Sequence, residues 1–400
     1  MTRAVSESLG AQSESGELTA PARRNCVLHV NSGNLYGGVE TILATLARLR
    51  DLCPSLEPHF ALCHEGRLSC ELRESGVAVH MLGAVRISRP WTMWRARRRL
   101  REILSRHRFD LVICHMPWSL AVFGRAAQSA GARLGFWAHG FYSGSGWLET
   151  LARHAHPDVA IANSRYTQSG VKNLFPKVHC RVIYAPVDFP ACSESALRRS
   201  RIRSAMGVSE QTVVIVQVSR MEAWKGHAVH VDALARLRDV ATPWVCWMVG
   251  GAQRPEEAEY LRGLQAKVAS AGLTEHIRFL GQRTDVPELL AAADVFCQPN
   301  QAPEPFGLVF VEALRASLPV VGTALGGATE IIDDSCGVLI PADDTAALCA
   351  ALRNLIEDPD LRARLGSRGA ARAFELCDPA QQMKLLNLLC SRGQEGAGEP

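Results

Sequence analysis

No apolar run in this chain approaches the roughly 18 residues that a membrane-crossing helix needs, so no helical span is expected. A dominant charge is also missing: 44 Lys and Arg face 40 Asp and Glu, and a net +4 is too slight to argue for nucleic acid. Aromatics make up only 6% of the residues, and no basic platform with interleaved rings is present of the kind that grips single strands. The 13 cysteines, scattered from Cys26 to Cys390, include no C-x-x-C pair and no His/Cys cluster at metal spacing. They read as buried thiols in a reducing compartment. The one D-x-D, Asp358-Pro359-Asp360, falls between two helical stretches and reads as a turn, so no metal is expected. Residues 1–22 are rich in Ser, Glu and Gly without an apolar stretch and read as a disordered leader, and 393–400 as a flexible tail.

What is present is apolar material in plenty, 47% of 400 residues, enough for a core in each of two or three domains. Short β-branched runs alternate with amphipathic helical stretches. One series of strands is predicted at Cys26–Val30, His59–Cys63, Val77–Met81, Asp110–Cys114, Leu134–Ala138, Asp158–Ala162 and Cys180–Tyr184. A second is predicted at Thr212–Val218, Trp244–Val249, His276–Leu280, Val295–Gln298, Pro319–Thr323 and Gly337–Ile340. Runs apolar on both faces and separated by helices argue for parallel sheets covered on both sides. Hence an α/β class is expected, with two Rossmann-like domains at residues 23–190 and 191–376, divided near Pro186–Ser195 and followed by the basic helix Arg198–Met206. A last helix within residues 377–392 is expected to pack back on the first domain. Ligands of open α/β sheets bind at the carboxyl ends of strands, so the site belongs in the cleft between the two.

Chemistry gathers at those strand ends. Glu304-Pro305-Phe306-Gly307-Leu308 leads into an apolar run ending at Glu312, which puts Glu304 in a loop and Glu312 about a turn inside a helix. The two carboxylates would stand on the order of 10 Å apart, with the free N–H groups of Phe306, Gly307 and Leu308 between them as an anion site. Arg220 and Lys225 follow the first strand of the second series and suit a diphosphate. Two cations on a solvated turn, and two glutamates at chance spacing, remain the plainer readings. Gly37-Gly38 opens a helix after the first strand, either for close approach of a ligand or as a tight turn. His139-Gly140 ends the strand at Leu134–Ala138, where the ring could donate to a sugar or the backbone could face the reacting carbon. Gly326-Gly327-Ala328-Thr329-Glu330 offers further amides or only a turn. Residues 86–108 hold Trp91, Trp94 and many arginines, with Glu102 the only acid. That segment suits either anionic lipid or a solvated helix with two core tryptophans.

These motifs together resemble the retaining glycosyltransferases of family 4, which have the GT-B fold. The resemblance runs from Cys26 to Leu376 and is strongest at Arg220…Lys225-Gly226, Phe279-Leu280-Gly281…Asp285-Val286, Glu304–Glu312, Pro319-Val320-Val321 and Gly326-Gly327…Glu330. It implies that Glu304 and the amides of Phe306, Gly307 and Leu308 hold a donor hexose, and that Glu312 bonds the ribose. It further implies that Arg220 and Lys225 meet the diphosphate, that Gly37 and Gly38 belong to the donor-binding set and His139 to the catalytic one, and that Arg283 lies near the base. The expected partners are a nucleotide sugar and a hydroxyl acceptor without cofactor, and the expected location is cytoplasmic, peripheral at the inner membrane face. An inverting transferase using His139 or Glu40 as base, a nucleotide-sugar epimerase, a phosphorylase and a non-catalytic nucleotide-sugar binder are the competing readings. One departure stands out: Ala185-Pro186-Val187-Asp188 replaces the family's Pro-Asn-Gly-Val-Asp, so the turn there must differ.

Overall fold

The computed structural model describes residues 23–188 and 195–391, and the expected leader, the tail and residues 189–194 of the interdomain break lie outside them. Seven parallel strands form the first sheet: β1 (Asn25–Asn31), β2 (Leu56–Leu62), β3 (Ala78–Met81), β4 (Leu111–His115), β5 (Leu134–Ala138), β6 (Val159–Ala162) and β7 (Cys180–Val182). Their order is β3-β2-β1-β4-β5-β6-β7. Six more form the second: β8 (Val213–Val218), β9 (Trp244–Val249), β10 (Ile277–Gly281), β11 (Val295–Gln298), β12 (Val320–Thr323) and β13 (Gly337–Ile340), ordered β10-β9-β8-β11-β12-β13. In both sheets the order reverses beside the first strand of the series. That reversal opens the crevice where ligands of such sheets bind.

Burial on both faces explains the unbroken apolar strands. In β9, Trp244, Cys246 and Met248 enter one core layer, while Val245, Trp247 and Val249 enter the other. With a side-chain period of two, a strand covered by helices on each side has no polar face left to show. Strand β2 starts three residues before its predicted bound and contains Pro58. Asn25 N–H donates to the Ser55 carbonyl, so the missing N–H of Pro58 points away from β1. There β3 has not yet joined, since its pairing begins at His59 opposite Ala78, and no ladder bond is lost.

The final helix, Pro379–Cys390, starts from Asp378, whose carboxylate caps Ala380 N–H at 2.9 Å, with Pro in its first turn. It lies against the first sheet's unit. Asn387 bonds Asn25 Nδ2 at 2.8 Å, Arg133 donates to the Leu389 carbonyl at 2.5 Å, and Met383, Leu386, Leu389 and Cys390 are buried. The basic helix Ser195–Ala205 is held through Arg199 and the fully buried Arg203, both paired to Asp294 at 2.7 and 3.1 Å. Asp294 Oδ2 in turn accepts from Val214 N–H at 2.7 Å. All twelve described cysteines are free thiols, most of them buried. Leu386→Ala is expected to lower unfolding stability by about 2–5 kcal/mol, measured by denaturant titration, because a Leu cavity at this joint cannot collapse easily.

Candidate active site

The turn that leaves β8 carries the two cations. It closes as a short 3-10 turn, Ala223–Lys225, ending on Gly226 at φ +74°. A Cβ on Gly226 would stand 1.7 Å from the Pro299 carbonyl oxygen, so only glycine lets this turn meet the segment after β11. That approach brings Lys225 Nζ to 2.5 Å from Glu304 Oε2, with both side chains 13% exposed. Asn300 Nδ2 bonds the same oxygen at 3.1 Å, and Gln298 Nε2 steadies Asn300 Oδ1 at 3.1 Å. The ammonium also rests 3.9 Å from the centroid of the Trp224 ring. Arg220 is paired as well, tightly to the buried Glu257 and at 3.3 Å to Glu222, while its Nε is buried without a partner. Neither cation therefore belongs to a solvated turn.

Glu304 to Leu308 form the mouth of the helix Leu308–Arg315. Gly307, its cap residue, has φ +99°, and a Cβ there would lie 2.4 Å from Phe310 Cδ2. Among the described residues the N–H groups of Phe306, Gly307 and Leu308 make no hydrogen bond, which leaves three donors at the helix start. The Phe306 ring is buried and stacks on Tyr184 with centroids 5.7 Å apart. Behind the loop lies Gly326-Gly327, and its role is more than a turn: Gly327 N–H donates to the Glu304 carbonyl at 2.7 Å. A Cβ on Gly326 would come within 2.3 Å of that carbonyl oxygen. Glu312 sits one turn into the helix without a side-chain hydrogen bond or ion pair among the described residues. Burial pushes its carboxyl up to about 7, against a smaller opposing pull from Arg315.

On the first sheet's side, Gly37 caps the helix Gly38–Arg48. Glu40 is fully engaged there: it accepts from Gly37 N–H at 3.1 Å and from Asn31 Nδ2 at 2.9 Å. Cβ atoms on Gly37 or Gly38 would crowd nothing within the protein closer than 3.8 Å, so open space lies over both. This loop reaches the other half, because the Tyr36 carbonyl accepts from Gln253 Nε2 at 3.4 Å. His139 is 8% exposed and follows β5, but its ring is turned into the domain, with Nε2 bonded to His115 Nδ1 at 2.9 Å. Of the two roles expected for His139, the inward ring does not offer itself to a sugar, and the backbone N–H meets the Tyr142 hydroxyl at 3.4 Å.

Arg283 lies in the loop after β10, bidentate to Asp285 at 2.7 and 2.5 Å. The loop touches the end of β9, where Gly250 N–H donates to the Gly281 carbonyl at 2.8 Å. Asp358 caps the helix Pro359–Cys377 by accepting from Leu361 N–H at 2.8 Å. Trp91 and Trp94 are not core residues, being 61% and 60% exposed on the helix Pro90–Arg106. Arg97 and Arg99 of that helix donate to the carbonyls of Val122 and Leu82, so the outward stripe is Trp91, Trp94, Arg95, Arg98 and Arg101. Sequence reasoning passed over Asn300, Glu257, Ser164 and Tyr184. The polar run Gln298–Gln301 at a strand end was the one signal available for Asn300.

The raised Glu312 carboxyl gives a signed pH effect. Its ordinary value is 4.5, and the folded chain holds the proton up to about 7. The destabilisation is therefore absent below about 4.5, grows between the two values and is complete above about 7. Glu312→Gln is expected to raise the unfolding midpoint of the unliganded protein at pH 8 and to leave it unchanged at pH 4.5. Thermal denaturation at the two pH values checks this.

Two family models cover most of the chain: Glycosyltransferase Family 4 over residues 36–189 and Glycosyl transferases group 1 over residues 198–372. A GDP-mannose-dependent alpha-(1-6)-phosphatidylinositol monomannoside mannosyltransferase of Mycolicibacterium smegmatis is 29% identical over 294 residues, which are 69% of this chain and 75% of that protein. The lipopolysaccharide core biosynthesis mannosyltransferase LpsB of Rhizobium meliloti is 28% identical over 231 residues, 57% of this chain and 63% of that one. Among solved structures, Anabaena HepE in complex with UDP and glucose superposes with a TM-score of 0.78 at 25% identity, covering 91% of this chain and 99% of HepE. A glycosyltransferase from Rickettsia africae shares the fold at a TM-score of 0.80 and 20% identity, covering 94% of this chain and all of that one. With both halves matched by models of one family and the whole by its architecture, the chain belongs to the group 1, family 4 glycosyltransferases and has the GT-B fold.

Proposed function

We propose that this glycosyltransferase is a retaining, metal-independent hexosyltransferase that moves a hexose from a nucleotide-diphosphate sugar to a hydroxyl acceptor in glycolipid or polysaccharide synthesis. The observation that carries the reading is the Lys225–Glu304 pair, held by Asn300 at the carboxyl end of the second sheet beside three unbonded amides. Glu304 would grip the hexose, Lys225 and Arg220 the diphosphate, and Glu312 the ribose. Fixed cations of this kind stabilise charge on the leaving β-phosphate, the task that a divalent ion performs elsewhere. As the glycosyl bond ionises, the acceptor hydroxyl attacks from the face the diphosphate is leaving, and the phosphate takes the acceptor proton. The residues named earlier as alternative bases are poorly free for it. Both Glu40 oxygens are occupied, and burial lowers His139 to about 3. The named activities of the two mannosyltransferase relatives make GDP-mannose the donor to test first.

The exposed stripe of Trp91, Trp94, Arg95, Arg98 and Arg101 supports a peripheral contact with anionic lipid, with the rings at the headgroup level and the guanidiniums on phosphate. None of the described helices is long and apolar enough to cross a membrane.

Lys225→Ala and Glu304→Ala should each lower GDP-mannose turnover by about 10²–10³-fold while the fold persists, and the wild-type product should keep the donor's anomeric configuration. Turnover should also survive EDTA. Near wild-type rates in both variants, or a strict need for added Mg²⁺ or Mn²⁺, would sink the assignment. For the lipid contact, the protein should co-sediment with vesicles containing phosphatidylglycerol and not with pure phosphatidylcholine, and Trp91→Ala with Trp94→Ala should weaken that binding; equal sedimentation in all three cases would refute it.

A further inference from the structure

Three histidines of the first sheet stand in one hydrogen-bonded file. His29 Nδ1 lies 3.0 Å from His115 Nε2, and His115 Nδ1 lies 2.9 Å from His139 Nε2. The sheet register sets this up. His29 on β1 pairs with Ile113 on β4, so His115, two residues on, projects from the same face one step higher. His115 then pairs with Trp137 on β5, and His139, again two residues on, takes the next step toward the carboxyl edge and the cleft. The imidazoles are walled in by rings: His29 stacks on Phe60 at 5.2 Å, and His115 and His139 stack on Trp137 at 5.3 and 5.6 Å. His29 and His115 are fully buried, and the two outer nitrogens of the file, His29 Nε2 and His139 Nδ1, are buried without a partner.

Desolvation keeps all three rings neutral at pH 7, with His29 and His139 lowered to about 3 and His115 well below its ordinary value. A neutral imidazole carries one N–H. Each hydrogen bond in the file needs one proton, so only two arrangements exist. Either every ring donates toward His139, which then bears its proton on Nδ1, or every ring donates toward His29, and His139 Nδ1 is a bare acceptor. A mixed arrangement would either strip His115 of its only proton or load it with a second. The tautomer of His139 is thus tied to that of a ring two hydrogen bonds deeper in the domain.

We infer that His29 and His115 are positioning residues for glycosyl transfer: they hold the His139 ring inward by its Nε2 and couple its tautomer to theirs, and with the Tyr142 hydroxyl, which accepts from His139 N–H at 3.4 Å, they set the His139–Gly140 backbone at the carboxyl end of β5. This rests on the proposed transferase reading, with His139-Gly140 as the substrate contact that the family resemblance implies. His115 is the hinge of the arrangement, because it alone bonds at both ring nitrogens.

The test uses the full chain with histidine ¹⁵N labelling. In the wild type, ¹⁵N-¹H correlation reads the tautomer populations of His139. In His29→Phe, which keeps a ring against Phe60 but offers no nitrogen, those populations should shift, and kcat should fall about tenfold or more with the donor KM within about twofold. His29→Asn, which keeps a hydrogen-bonding atom near the place of Nδ1, should restore much of both. An unchanged His139 tautomer together with wild-type kcat in His29→Phe overturns the inference. Should His29→Phe fail to fold, His115→Asn gives the same readings, since its amide can still reach His139 while leaving His29 unbonded. His139→Phe tells the two layers apart: wild-type kcat there removes His139 from the reaction and its two supports with it, whereas the tautomer spectrum reads the file by itself.

Discussion

One carboxylate ties the loops at the carboxyl end of the second sheet to the first. Glu330 accepts the N–H groups of Arg165 and Tyr166, each at 3.0 Å, at the start of the helix Arg165–Leu174, and the Tyr184 hydroxyl at 3.0 Å. A helix N-terminus leaves such donors unmet and favours negative charge, so the bond satisfies both sides of the cleft together. Beside it Ser164 caps the same helix and donates to the Pro305 carbonyl at 2.5 Å, while Thr167 reaches that carbonyl at 3.2 Å. The loop from Glu304 to Gly307 is therefore pressed between Gly326-Gly327 of its own half and Ser164 of the other. The open amides at the helix mouth depend on that clamp.

Both cations at these strand ends are already paired. Lys225 is neutralised by Glu304, and Arg220 by Glu257 and Glu222. A diphosphate bound there, as proposed, would exchange partners with groups already in place. Such an exchange costs less reorganisation than gathering mobile side chains, which is how fixed dipoles and ions favour a transition state over its ground state. The stack of Trp224 on the Lys225 ammonium serves the same end by limiting where Nζ can go.

Most of this architecture was legible in the sequence because parallel strands buried on both faces write themselves as short unbroken apolar runs. All thirteen strands of the structure fall where such runs do, and the shift at β2 comes from a proline tolerated on a side with no neighbour. The placement of Lys225 and Glu304 in strand-end loops and of Glu312 inside a helix was legible for another reason: their spacing relative to strand ends and glycines is local. What could not be read is what depends on contact across long separations. Glu257 meets Arg220 from the helix Pro255–Ser270 that follows β9, and Ser164 and Tyr184 act from the other half of the chain. The histidine file was hidden for the same reason, since its members are 86 and 24 residues apart and only register aligns them. Trp91 and Trp94 show the converse limit: a helical pattern says which residues share a face, and only packing says whether that face is covered.

The returning helix Pro379–Cys390 means that the backbone passes between the halves twice, and the two passages touch. Val187 N–H donates to the Cys377 carbonyl at 3.4 Å, Tyr184 N–H to Gln382 Oε1 at 3.0 Å, and Arg315 reaches the Asp188 carbonyl. Two covalent crossings bonded side by side define a line. Relative sliding of the halves would shear both crossings at once, whereas rotation about the line strains neither, and the residues farthest from it, at the cleft, move most. The geometry of opening is thus set by where the C-terminal helix is moored.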